Sequence, residues 1–385
     1  MLYLLVISGV FAATVFGVAP AAIAQLTILH SFGDGTVPHD GRTPSDGLVQ
    51  APDGNFYGVT LSHATSPYPG GVIFQISPSG TYRIAENYNH PFFTDVPTYY
   101  KKELLGTYFG RLAKHAGVVF SLTGYPNGPW RSHVWHIFTG APSDGRNPIG
   151  RLILGSDGNL YGVSNTGGSA NLGTIYKVDP KSHQVTIVYS FAGSSPAGSP
   201  YTSLLLAADG NYYGAAAPAV TNPGEIYKMT PGGDVTTFYQ FTGIEYPSGP
   251  LIQGSDGNFY GTGGGITSGV AFVYQLTAGG VFTVLHTFKP PGKHMGVVTF
   301  GVAQGSTGNL YGTTDTDGTA GKGTVYEVST DGSTFNVLHN FGDGSVQNDG
   351  EFPAGILTVG SDDNLYGVTI GGGSAGNGTV FKISP

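Results

Sequence analysis

Gly155-Ser156-Asp157-Gly158-Asn159-Leu160-Tyr161-Gly162, followed after a glycine-rich stretch by Gly173-Thr174-Ile175-Tyr176-Lys177-Val178, is the passage that decides the fold, because the chain repeats it. The aromatic residue of the first block recurs at Tyr57, Tyr161, Tyr213, Tyr260, Tyr311 and Tyr366. A worn copy stands between the first two: Leu104-Leu105-Gly106-Thr107, then Gly117-Val118-Val119-Phe120-Ser121-Leu122, with Leu105 in the tyrosine position. The seven marks are 48, 56, 52, 47, 51 and 55 residues apart. A period in this range with several short strands per unit means a propeller or a solenoid.

Each unit reads as a four-stranded antiparallel meander. Asp-Gly-Asn supplies a hairpin turn between the first two strands. A Gly- and Ser-rich loop precedes the third strand, and a turn such as Pro231-Gly232-Gly233 leads to the fourth. The last copy stops at Gly378-Thr379-Val380-Phe381-Lys382-Ile383 without a fourth strand, while Leu26-Thr27-Ile28-Leu29-His30-Ser31-Phe32 is a fourth strand without a copy. A solenoid gains nothing from that offset. A ring does, because the first strand then completes the last blade and removes both free edges. The expected fold is therefore all-β: a closed seven-bladed β-propeller over residues 25–385, one domain, with a degenerate second blade at about 95–140.

Glycine is 64 of 385 residues and charged residues are 10%, which suits many tight turns under a surface of Ser, Thr, Asn and Gly. A net charge of -8 without a basic block argues against nucleic acid as a partner. Residues 1–24 carry no charged side chain and end in Ala22-Ile23-Ala24, the pattern of a cleaved signal peptide; an uncleaved membrane anchor is the alternative. Export to the outside or the cell surface is expected, with no membrane span in the mature chain, and a monomer. With no cysteine, ring closure and packing between blades replace disulfides.

The Gly-Ser-Asp-Gly-Asn-Leu-Tyr-Gly, Gly-Thr-Val-Phe-Lys-Ile-Ser-Pro and Val-Leu-His-Asn-Phe-Gly-Asp-Gly blocks resemble the GloVer tandem repeat of exported, "choice-of-anchor" bacterial proteins. The resemblance covers nearly the whole mature chain and implies an extracellular or surface propeller of no settled activity. The second copy departs from the pattern by losing the signature.

His30, His136, His286 and His339 share one slot in the fourth strand, where Tyr189 and Tyr239 substitute, so they read as framework. The turn aspartates Asp53, Asp157, Asp209 and Asp256 are explained by hairpin chemistry. The pairs Asp34 with Asp40 and Asp343 with Asp349, and Asp315 with Asp317, also read as turns, calcium being the alternative. No metal site or other cofactor is expected. No H-E-x-x-H, P-loop, G-x-S-x-G or cysteine-based zinc pattern occurs.

Copy two breaks the composition. From Arg83 to His136 it holds both tryptophans, four of eleven histidines and six of sixteen basic residues. On the rim formed by the glycine-rich and between-blade loops it would present His90, Asp95, Tyr108, Arg111, Lys114 and His115, with His63 and Tyr68 from the preceding blade. Lys101, Lys102, Trp130 and Arg131 fall on the opposite rim. Drift of one blade would account for the lost signature, but not for joint enrichment in His, Tyr, Arg and Lys. Arg clamps a carboxylate, and Tyr and His offer polar tips and ring faces. The leading expectation is a binding module for carbohydrate or another anionic surface ligand. The alternative is a polysaccharide lyase cleaving uronate glycans by β-elimination, with Arg111 or Lys114 neutralising the carboxylate, His115 or His90 as base and Tyr108 as acid. In either reading His63, Tyr68, Asp95 and Lys114 would contact ligand. A third reading is a purely structural surface propeller.

Overall fold

The repeated turn is a lock, and its parts explain the signature. In copy three the Asp157 carboxylate accepts the Asn159 backbone N–H at 3.0 Å, the Asn159 amide at 2.7 Å and the Tyr161 hydroxyl at 3.0 Å. Asp209, Asp256 and Asp362 do the same for Tyr213, Tyr260 and Tyr366. Gly158 sits at φ +81°, where only glycine is unstrained; Asp363 occupies that place in the last copy at φ +60°. Copy six replaces the aspartate with Thr307, and Glu327 on the third strand takes over the Tyr311 hydroxyl at 2.9 Å. The glycine after each tyrosine is there for space: a Cβ on Gly162 would lie 2.6 Å from the Tyr176 ring of the third strand.

The computed structural model describes residues 25–62, 71–87, 97–109, 116–124, 130–193, 198–217, 223–242, 245–265, 269–288 and 299–385. Among them every regular element is a strand, and no helix is long and apolar enough to cross a membrane. Four sheets have four strands in meander order, for example Gly145–Leu154, Leu160–Gly167, Thr174–Val178 and Val185–Ser190. A fifth has its first strand split into Glu245–Pro247 and Ile252–Gln253. The sixth has eight strands, because copies one and seven meet through a parallel bridge between Gly47 and Ile356. The opening strand Gln25–Ser31 lies at the outer edge of copy seven, antiparallel to Thr379–Ser384, with Leu26 opposite Ile383 and His30 opposite Val380.

The sheets pack face to face. Six buried clusters each draw on two copies adjacent in sequence, such as Tyr57, Val59 and Ile73 with Leu104, Val118 and Phe120 from copies one and two. One cluster joins the ends of the series: Phe32, Tyr366, Val368 and Val380 of copy seven against Leu48, Phe56 and Phe74 of copy one. Both faces of the third strands are therefore buried. The turn rim is stitched by glutamines: Gln50 bonds Ser361 of copy seven, Gln253 bonds Ala208 of copy four and Gln304 bonds Ser255 of copy five, each accepting a backbone N–H at 2.8 Å.

Copy two keeps the meander and drops the lock. Its first strand is Thr98–Tyr100, shorter than the nine residues of copy one and the ten of copy three though longer than the two of copy four. Lys101 and Lys102, both at positive φ, make a two-residue hairpin turn. Leu105 is buried without a hydroxyl, so the turn aspartate and asparagine have lost their partner as a set. Trp135 is spent on the framework: its indole N–H donates to Ser121 at 3.0 Å and its ring stacks on His183 of copy three at 4.3 Å.

Candidate functional site

The segments carrying His63 and Tyr68, His90 and Asp95, and Arg111, Lys114 and His115 lie outside the described residues. The strands that flank them are described. Arg42 pairs with Ser62 and Val72 with Asn87 in copy one, while Tyr108 pairs with Val118 and Val118 with Ile137 in copy two. Antiparallel register thus brings the strand ends leading into segments 63–70, 88–96 and 110–115 to one rim of two sheets packed on each other. Tyr108 is the one expected site residue within the description. It closes the Glu103–Tyr108 strand, half-buried beside Phe120 at 6.1 Å, and burial pushes its phenol up. On the opposite rim, Trp130 packs edge-on against Tyr57 at 5.9 Å.

Three of the framework histidines show one form that the boundary between two copies takes. His30 and His339 are buried, with Nε2 at 2.9 and 2.8 Å from Asp40 and Asp349; His136 meets Asp144 at 3.1 Å. Asp40 and Asp349 also accept the Gly33 and Gly342 backbone N–H groups. These are the second members of the paired Asp-Gly motifs, and each ties its loop to the outer strand. Register fixes the slot: His30 lies opposite Val380, His136 opposite Val119, Tyr189 opposite Ile175, and His339 opposite Val325.

In copy one that slot, opposite Ile73, holds Glu86. Sequence reasoning passed over it because the slot was recognised only by its His or Tyr. Counting from the third-strand Val or Ile across the bulge would have found it. Glu86 stands two residues before the segment bearing His90 and Asp95, and burial pushes its carboxyl up.

A cavity of about 330 Å³ lies where the first strands converge, lined by residues of copies one and three to seven, among them Asp46, Arg151, Ser203, Ser248, Phe300 and Ile356. The convergence is close: a Cβ on Gly355 would fall 2.2 Å from the backbone of Asp46 and Gly47. Register shifts in these strands, as between Ile149 and Ile153, turn this stretch out of the ladder. A wider basin of about 670 Å³ on the turn rim shares Arg151 and Ile153 with it. Arg151 spans from copy three to copy one, donating from Nη2 to the Leu48 carbonyl at 3.3 Å.

The model of the Gloeobacter/Verrucomicrobia repeat matches residues 101–296 and 246–385. No curated protein matches the chain in sequence. Among solved structures, the extracellular domain of a hybrid two component system from B. thetaiotaomicron is similar at 10% identity and a TM-score of 0.59, covering 92% of this chain and 39% of that one. A GH74 xyloglucanase from Xanthomonas campestris gives 13% and 0.60, covering 90% and 52%. An oligogalacturonate lyase in complex with manganese gives 11% and 0.55, covering 94% of both chains. The chain thus spans well under two thirds of the first two proteins' lengths. At these identities the likeness concerns the fold, which is propeller-like.

Proposed function

The chain belongs to the Gloeobacter/Verrucomicrobia repeat family, and from that membership and its sheet order we propose an exported, closed seven-bladed β-propeller that binds carbohydrate or another anionic surface ligand without chemistry of its own. Counting the eight-stranded sheet as two blades gives seven, and the cluster shared by copies seven and one supports closure. The apolar segment ending at Ala24 supports export, and so does a neighbour described as extracellular. The site reading rests on one observation: the strand ends leading to His63, His90, Arg111, Lys114 and His115 meet at a single rim of copies one and two. Glu86 and Tyr108 flank the same rim.

A lyase acting on uronate glycans is the second reading, favoured by coverage of 94% of both lengths with the oligogalacturonate lyase. In it Arg111 neutralises the carboxylate, His115 or His90 removes the α-proton and Tyr108, its phenol pushed up by burial, serves the leaving oxygen. Uronate polysaccharides and a glycan array separate the two. Binding without product supports the binding module; rising absorbance of unsaturated product, lost in Arg111→Ala with His115→Ala, supports the lyase. If neither signal appears, both readings fail and a structural propeller is left. Closure has its own test in this cysteine-free chain: Thr27→Cys with Lys382→Cys, opposite each other in the ladder, should oxidise to an intramolecular disulfide.

A further inference from the structure

The geometry points to a second binding site, on the turn rim, that takes a compact carboxylate with an apolar body. The site is the basin where copies one, two and three meet. It is bordered by the three-residue first strand of copy two, set between strands of nine and ten residues. Its walls are apolar: Val49, Pro52, Tyr99, Ile153 and Leu154.

Besides Arg151, which keeps further guanidinium N–H groups beyond its bond to Leu48, the Gln50 amide and Thr98 hydroxyl on the lining are already engaged. The Gln50 amide donates to the Gly54 carbonyl and Ser361 hydroxyl and accepts the Ser361 N–H, and the Thr98 hydroxyl donates to the Leu152 carbonyl. A sugar, which needs several hydrogen-bond partners, is poorly served there. An apolar body is well served.

One charged side chain lines the basin among the described residues, Arg151. In the sequence it precedes Leu152, where the matching leucines Leu48, Leu204, Leu251 and Leu357 are preceded by Gly47, Ser203, Pro250 and Ile356. A guanidinium at this place is therefore peculiar to copy three, the copy that faces the shortened strand. A carboxylate on it makes a charge-assisted bond in apolar surroundings, and a neutral amide of the same shape does not.

Titration of the mature chain with cinnamate, cinnamamide and glucuronate, followed by calorimetry, tests this. Cinnamate should bind at least about tenfold more tightly than either of the others, the difference a charged hydrogen bond and an apolar body each supply. Arg151→Gln should erase the preference over cinnamamide. Because that change also removes the bond to Leu48, Leu154→Asp provides a variant at an exposed lip position, 48% accessible, and should abolish cinnamate binding without lowering the melting temperature. Arg111→Ala with His115→Ala should leave cinnamate binding intact, which separates this site from the one proposed above. Equal binding of acid and amide, equal binding of glucuronate, indifference to Leu154→Asp, or no binding of cinnamate would each overturn the proposal.

Discussion

Copies two and three are neighbours that share a buried cluster, yet they hold their first hairpins by different means. Copy three uses a carboxylate that gathers a backbone N–H, an amide and a phenol. Copy two uses two residues of positive φ and an apolar side chain. The difference teaches that the signature is a local lock rather than a condition of the fold. Copy two stays packed on both neighbours without the lock, and its loops carry His90, Arg111, Lys114 and His115.

Exchanging the key residue is the strongest way to break that comparison. Tyr161→Leu gives copy three the residue of copy two. It removes a ring that is 3% exposed, with its contact to Tyr212 at 4.6 Å and its bond to Asp157, and should cost about 3 kcal/mol in urea denaturation. Leu105→Tyr should bring no gain, because copy two has no turn aspartate to receive the hydroxyl. A gain there would mean that the lock is not what separates the copies.

Acid sharpens the same contrast. Burial opposes ionisation of Asp209, but hydrogen bonds from Asn211, Tyr213 and Lys228 outweigh it and hold its carboxyl down at about 2; Asp157, Asp256 and Asp362 are also lowered by their turn and tyrosine partners. Folded values below the unfolded one of about 3.9 mean stability that is fully present above that pH and lost as pH falls toward 2. The melting temperature should drop across this window, and Asp209→Asn should flatten the drop. Copy two has no turn aspartate of this kind to add to it.

The smallest effect is expected at the boundary of copies one and two. Burial raises the Glu86 carboxyl above its ordinary value, so its contribution to stability is present below the unfolded value of about 4.3 and lost as pH rises through the folded one. Glu86→His, which restores the residue that four other copies hold there, should stabilise the chain at pH 7 by no more than about 1 kcal/mol, the group being half-exposed. Destabilisation would show that Glu86 is required where it stands.

What could be read from the sequence was whatever a single copy states and then repeats. The turn aspartate, the buried tyrosine, the meander and the offset of the terminal strands are local patterns, and Gln25–Ser31 does lie beside Thr379–Ser384. Glu86 and Arg151 were not legible because each is defined by a neighbour distant in sequence. Glu86 is recognised only across a bulge by its partner Ile73, and Arg151 only by its reach to Leu48, 103 residues away. Trp135 and His136 illustrate the opposite case: part of the unusual composition of copy two belongs to the framework, through His183 and Asp144.

A loop exchange tests the central claim that the irregular copy carries the function. Residues 110–115 are replaced by the copy-three loop sequence 166–171, and binding to uronate-bearing polysaccharide is measured beside the melting curve. We expect the melting temperature to stay within a few degrees while binding falls at least tenfold. Binding that persists with the plain loop in place would contradict the assignment of the site to copy two.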